Sequence, residues 1–206
     1  SLFELQVWWL DNMATVVFFH AHPDDEALAT GGTMALMAEA GHRVILVVAT
    51  RGEEGEPVEG VLETGEKLED RRSSEVEKSA EILGAARIEF LGYRDSGMVE
   101  SDTTSHPNCF WQASKEEAVN RLSKLLSSEE IDLIVVYDPN GGYGHPDHIQ
   151  VHQVGTQWAQ ENNVRLRWVT LNRDAIRKVV EQAINEAIGA GEELDEDRTK
   201  REERST

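Results

Sequence analysis

The chain has 206 residues, with 20 Lys plus Arg against 39 Asp plus Glu, a formal net charge of −19 at pH 7. That balance excludes a general nucleic-acid binder, which needs clustered cations for phosphate contacts, and it disfavours docking on an anionic membrane surface. Hydrophobic residues at 39% suffice for the core of one domain. The single cysteine, Cys109, excludes a disulfide within the chain and suits a reducing, cytoplasmic setting.

Residues 1–12 lack a basic n-region and are interrupted by Glu4 and Asp11, so they read as neither a signal peptide nor a membrane span. They are either sequence upstream of a start at Met13 or an added element burying Trp8 and Trp9. From there apolar runs alternate with helical patterns. Residues 14–19 read as a buried strand, 26–42 as a helix and 43–50 as a second strand. A Gly- and Glu-rich loop precedes a helix over 68–84 and a strand over 87–92. A polar loop, 93–110, leads to a helix over 114–128 and a strand over 131–138. A glycine turn, a helix over 148–162, a strand over 165–171 and a helix over 173–188 complete the pattern. The acidic stretch 189–206 has nothing to bury and reads as a solvated tail. Continuous apolar strands separated by amphipathic helices predict an α/β, Rossmann-like doubly wound, mostly parallel sheet with helices on both faces. The expected organisation is a single domain over 13–188.

Two segments at strand ends are dense in chemistry. The first is His20-Ala21-His22-Pro23-Asp24-Asp25-Glu26. A helix cap accounts for one Asp there, but not for a His, two Asp and a Glu at the end of a buried strand. The second is Gly141-Gly142-Tyr143-Gly144-His145-Pro146-Asp147-His148. A turn and a cap by Asp147 leave its two His unexplained. Together the segments offer His22, Asp25 and His148 as metal ligands, a set suited to catalytic zinc with an open position for water. It also suits Fe(II), Co(II) or Mn(II). His152 lies one helical turn beyond His148 and reads as support. Asp24 then stays free to take a proton from the activated water, and a protonated His145 to stabilise an oxyanion or protonate the leaving amine. A nucleotide-binding reading fails, because no glycine fingerprint follows the first strand.

His22-Pro23-Asp24-Asp25-Glu26 with Gly31-Gly32, then Thr50-Arg51-Gly52-Glu53, then His145-Pro146-Asp147-His148, resembles the zinc-dependent PIG-L/LmbE-like de-N-acetylase family over roughly residues 14–175. Arg94-Asp95-Ser96-Gly97-Met98 and the glycine-rich His segment are most similar to its mycothiol-type deacetylases and conjugate amidases. The resemblance implies hydrolysis of an acetamide on an N-acetylglucosamine-type sugar. It gives His22, Asp25 and His148 as zinc ligands, Asp24 as general base and His145 as electrostatic or acid partner. It also gives Tyr143 as a group polarising the substrate carbonyl, and Arg72 (with Arg71 a rival) and Asp95 as substrate contacts. The loops 51–66 and 93–110 are long enough to form the substrate rim. Alternatives are a conjugate amidase, or a metal-binding protein with little turnover, since members of that branch continue well past Asn172-Arg173-Asp174. The implied partner is a small amino-sugar, and a homo-oligomer is compatible with it.

Overall fold

The computed structural model describes residues 13–170 and 173–189. The expectations for residues 1–12 and for the tail from 190 onward lie outside the described residues.

Five strands form one sheet in the order β3-β2-β1-β4-β5, every neighbouring pair parallel. They are β1 Thr15–His20, β2 Arg43–Val48, β3 Arg87–Phe90, β4 Leu133–Tyr137 and β5 Arg165–Val169. The helices between them are α1 Gly31–Glu39, α2 Leu68–Ile82, α3 Lys115–Leu126 and α4 Pro146–Glu161. These strands and helices belong to a compact unit ending at Val169, whereas α5, Arg173–Gly189, belongs to a second unit beginning at Thr170. Among the described residues no helix is long and apolar enough to cross a membrane.

The strands are continuously apolar because each is buried on both faces. Alternate residues point to opposite sides, so the core has two halves. Val17, Phe19, Ile45, Val47, Ile134 and Val136 meet α3 and α4 through Val119, Leu122, Val151 and Trp158. Val16, Phe18, Val44, Leu46 and Leu133 form the other half with Met34, Val76 and Ala80 of α1 and α2. Ser114 caps α3 by accepting the Glu117 N–H at 3.2 Å, the side-chain-to-backbone half of a capping box.

The strand order reverses direction between β1 and β4. In open α/β sheets the crevice outside the carboxyl ends of the two strands at such a reversal is where ligands bind. Both chemically dense segments lie there, directly after His20 and after Tyr137.

Two boundaries differ from the sequence expectation. The predicted helix 26–42 opens with one wider π-helical turn, Glu26–Thr30, and regular α-helix starts only at Gly31. The helix predicted from 148 starts earlier, with Pro146 in its first turn, a position where a missing N–H costs nothing. Its cap is His145, whose Nδ1 accepts the Asp147 N–H at 3.1 Å, and not Asp147.

Candidate active site

The turn after β1 is fixed from beneath by the sheet. Tyr137, the last residue of β4, receives the Ala21 N–H on its hydroxyl at 3.2 Å and lies 3.0 Å from His20 Nδ1. The other nitrogen of His20 is 2.7 Å from Thr30 Oγ1. Full burial lowers the His20 pKa to about 4, so the ring is a neutral bridge. The Tyr137 ring also stacks on His148 with centroids 4.1 Å apart. Thr50, after β2, ties in the next loop by donating its hydroxyl to the Ala21 carbonyl at 3.0 Å.

On that frame three of the sequence candidates converge. His22 Nδ1 is 3.4 Å from Asp25 Oδ2, and His148 Nε2 is 3.4 Å from Asp25 Oδ1 and 3.3 Å from His22 Nδ1. His22 is 6%, Asp25 8% and His148 2% exposed. The far nitrogen of His22, Nε2, is 3.2 Å from Asp147 Oδ2 and 3.4 Å from Asp95 Oδ1. With Nε2 facing two carboxylates, His22 turns Nδ1 toward Asp25 and His148, and that nitrogen offers a lone pair when the ring gives up its second proton. A histidine whose outer N–H is held by a carboxylate is the usual arrangement of a metal ligand. Donors about 2.0–2.1 Å from a tetrahedral zinc lie about 3.3 Å from one another, and the His22 Nδ1–His148 Nε2 separation of 3.3 Å matches that spacing. Asp25 stands beside both nitrogens through different oxygens, Oδ2 on His22 and Oδ1 on His148. Two histidine nitrogens beside a carboxylate are chemistry that fits a divalent ion. The groupings whose donor atoms all lie within 4.8 Å of one another are His22–His145–His148 and His22–Asp95–Asp147.

The electrostatics agree. Burial opposes charge on His22, but its hydrogen bonds to Asp147, Asp25 and Asp95 outweigh burial and hold its pKa well above the ordinary value. Burial likewise opposes ionisation of Asp25, yet His148 and His22 hold its carboxyl well below the usual range. Carboxylates that retain a proton on His22 would favour a metal cation at the same place.

Asp24 differs from its neighbour. Its side chain is 58% exposed and borders the cleft rather than the cluster of donor atoms. Its φ of 112° is left-handed, a conformation costing an L-residue about 1–3 kcal/mol. Burial and then the negative charge of Asp25 raise its pKa, with Arg72 opposing.

Arg72, expected to touch substrate, is engaged by the protein. One Nη2 reaches the Pro23 carbonyl at 2.5 Å and Asp24 Oδ2 at 2.8 Å, and Nη1 donates to the Gly52 carbonyl at 3.0 Å. Gly52 has φ 68°, and a Cβ there would lie 2.1 Å from Arg72 Nη1. The close approach thus requires a glycine. Arg71, the rival, pairs with Glu66 on the surface at 2.7 Å.

Asp95 serves two purposes. Its carboxylate faces His22 and also accepts the Gly97 N–H at 2.9 Å, forming the Asp-Ser-Gly turn. Tyr143 is 47% exposed; its hydroxyl is 3.4 Å from His148 Nε2. Burial and Asp25 push its pKa up to about 12, so it remains a phenol able to donate. For His145 the structure departs from the expectation of a protonated ring. Burial first, then the charge of His22, lowers its pKa to about 4. With Nδ1 accepting from Asp147 N, the ring is neutral and carries its proton on Nε2. His152 stands back from the site, its Nδ1 2.9 Å from the Tyr137 carbonyl and its ring edge-on to Trp168.

Sequence reasoning missed three groups. Asp147 is fully buried and accepts from Ser96 N at 3.0 Å and from Ser96 Oγ as well as facing His22. Glu26, 1% exposed, accepts the Asp24 N–H at 3.0 Å. Glu53 accepts the Asp95 N–H at 3.0 Å. All three are acidic residues inside the quoted motifs, and that was the only available signal.

The site opens into a cleft of about 260 Å³ lined by His22, Asp24, Asp25, Glu54, Gly55, Arg72, Asp95, Gly97, Met98, Tyr143 and His145. Both expected rim loops contribute to it.

Several known proteins resemble this chain. A 1D-myo-inositol 2-acetamido-2-deoxy-alpha-D-glucopyranoside deacetylase of Thermobifida fusca is 45% identical over 154 residues, 69% of this chain and 53% of that protein. One of Saccharomonospora viridis is 39% identical over 171 residues, 78% of this chain and 64% of that protein. The chain thus spans about half to two thirds of the length of these relatives. Among solved structures, N,N'-diacetylchitobiose deacetylase from Pyrococcus horikoshii superposes with a TM-score of 0.58 at 26% identity, covering 78% of this chain and 59% of that one. The family profile described as PIG-L, GlcNAc-PI de-N-acetylase, matches residues 17–159, a span containing both dense segments and the whole cleft, and the chain belongs to that family.

Proposed function

We propose that the chain is a metal-dependent de-N-acetylase of an N-acetylglucosamine-type sugar. The observation that carries this reading is the meeting of lone-pair donors from His22, Asp25 and His148 at the β1–β4 crevice, with Asp24 and Tyr143 on its open side. The names of the relatives support the sugar class.

Under this reading His22, Asp25 and His148 hold the ion, zinc being the best match to the donor set and Fe(II), Co(II) or Mn(II) alternatives. When bound, it supplies Lewis acidity, acidifying water and polarising the acetamide carbonyl. Asp24 takes the proton of the attacking water. Arg72 keeps that carboxylate aimed, and the raised pKa of Asp24 makes it a stronger base than an ordinary Asp. The Tyr143 phenol donates to the carbonyl oxygen as negative charge grows there. His145 Nε2–H adds a second donor, or serves the departing amine. Met98 and Gly97 form the wall against which the sugar lies, and Asp95 accepts from a hydroxyl with whatever capacity His22 and Gly97 leave. A reducing, cytoplasmic location accords with the single buried cysteine.

The test is metal content of the purified chain alongside amine release from N-acetylglucosaminyl-inositol and N,N'-diacetylchitobiose, with and without chelator. About one ion per chain and chelator-sensitive release are expected. No metal, or metal without amine release from either sugar, overturns the reading.

A further inference from the structure

We propose that Glu26 is a positioning residue. Its buried carboxylate holds the Asp24 backbone in its left-handed conformation and thereby aims the Asp24 side chain into the cleft. This rests on the reading of Asp24 as the general base.

Asp24 and Asn163 are the non-glycine residues with positive φ among the described residues. Asn163, at 54°, sits in the ordinary left-handed well. Asp24, at 112°, lies well beyond it and must be held there. The peptide unit joining Pro23 to Asp24 is gripped at both ends. Its carbonyl oxygen receives Arg72 Nη2 at 2.5 Å, and its N–H donates to Glu26 Oε2 at 3.0 Å. A donor held on the oxygen and an acceptor held on the N–H oppose the rotation of that plane by which φ of Asp24 would relax. The Asp24 carbonyl is also committed, accepting from Ala27 N and Leu28 N at 3.0 Å each. With both flanking peptides pinned, the side chain leaves the backbone in one direction. It lies toward Arg72 and the cleft, away from the buried donors that its neighbour Asp25 serves.

An acidic residue in the first turn of a helix is ordinarily a solvated partner of the helix dipole. Glu26 is 1% exposed. A carboxylate is buried only where it has partners, and the partner found here is the amide of the proposed base. The widened turn Glu26–Thr30 is the local backbone that folds this side chain back under Asp24.

The test compares Glu26→Gln, which retains an acceptor oxygen, with Glu26→Met, which removes it at similar volume, in the metal-loaded full chain. Hydrogen exchange at the Asp24 amide reads the clamp without any turnover. Glu26→Gln should keep that amide protected and kcat within a few-fold. Glu26→Met should expose it and lower kcat about 10²-fold, with KM and metal content unchanged. If Glu26→Met fails to fold, Glu26→Asp withdraws the acceptor by one methylene with charge intact and should show the same exposed amide. A protected Asp24 amide in Glu26→Met, or in its substitute Glu26→Asp, overturns the proposal. So does Glu26→Gln as damaging as Glu26→Met, which would make charge and not the acceptor the active property. Asp24→Asn separates the two readings. Retained turnover there ends the general-base assignment, while the exchange measurement still decides whether Glu26 holds the backbone.

Discussion

The carboxylate of Asp24 stands on a backbone that glycine alone adopts freely, which sets stability against activity at one position. Replacing it by glycine relieves about 1–3 kcal/mol of strain. It costs about 1 kcal/mol of extra chain entropy and an exposed ion pair with Arg72 worth under about 1 kcal/mol. Asp24→Gly should therefore change stability little in calorimetry, between about 1 kcal/mol lost and 2 kcal/mol gained, while turnover falls by about 10²–10⁴. The opposite case is Asp147, which never meets the cleft. Asp147→Asn weakens the grip on the outer nitrogen of His22, and competition with a chelator should show metal affinity about 10–100-fold lower. The site was only partly legible at this scale. His22, Asp24, Asp25, His145 and His148 stand out by residue type and spacing, whereas Tyr143 was singled out only by the resemblance. Asp147 and Glu26 do not stand out, because each acts through a contact that exists only once the chain has folded. Asp147 meets a ring 125 positions away, and Glu26 looks from sequence like any helix-start acid. Arg72, which the resemblance gives as a substrate contact, lines the cleft and also braces the loops after β1 and β2, a second role that its residue type did not reveal.

Among the elements, α4 approaches the sheet closely at Gly155. A Cβ there would lie 2.4 Å from Val136 Cγ1 and 3.4 Å from Phe19 Cδ1. Alanine ordinarily improves a helix, but here overpacking of about 1–3 kcal/mol outweighs the propensity gain of about 1 kcal/mol. Gly155→Ala should thus lower the urea midpoint, and an unchanged or higher midpoint would mean that α4 can move outward at no cost. Away from the site, Glu129 joins two strands through Arg43 at 2.7 Å and 2.9 Å and through Arg87 at 3.3 Å. Hydrogen bonds from Arg43 chiefly hold its pKa below the ordinary value. A carboxylate depressed in the folded state stabilises above its unfolded pKa, near 4.5, and that contribution is lost as pH falls through the folded one. Glu129→Gln should accordingly cost up to about 1 kcal/mol at pH 7, and the gap should close as the medium is acidified below about 4.5. A gap independent of pH would mean that packing, not charge, is what the variant loses. The strands were legible because burial on both faces leaves runs such as Val44–Val48 without polar interruptions. The π-helical turn at Glu26–Thr30 was not, since Ala-Leu-Ala reads as ordinary helix, and the contacts at its two ends, Glu26 to the Asp24 amide and Thr30 to His20, form only in the fold. The cap of α4 was not legible for a similar reason: Asp147, the better intrinsic cap, is turned inward to His22, and His145 caps instead.

Over the whole molecule, the net charge of −19 makes compaction work against self-repulsion. Raising ionic strength from about 0.01 to 0.15 M shortens the screening length from about 30 to 8 Å, and the thermal midpoint should rise. A fall would show that surface ion pairs outweigh the net repulsion. The fold was legible at this level because β-α alternation leaves few topologies, and the reversal between β1 and β4 follows from which strand β4 joins. That same adjacency has a mechanical consequence. The two proposed histidine ligands stand 126 positions apart in the chain, and the sole cysteine leaves no disulfide to link its two halves. An ion held between them would act as a removable staple around most of the β-α-β wrapping. If it stayed attached during unfolding, it would restrict the denatured chain as a cross-link closing a loop of that size does, by about 4–5 kcal/mol. Chelation would then alter what the unfolded chain can explore as well as what the folded one can do.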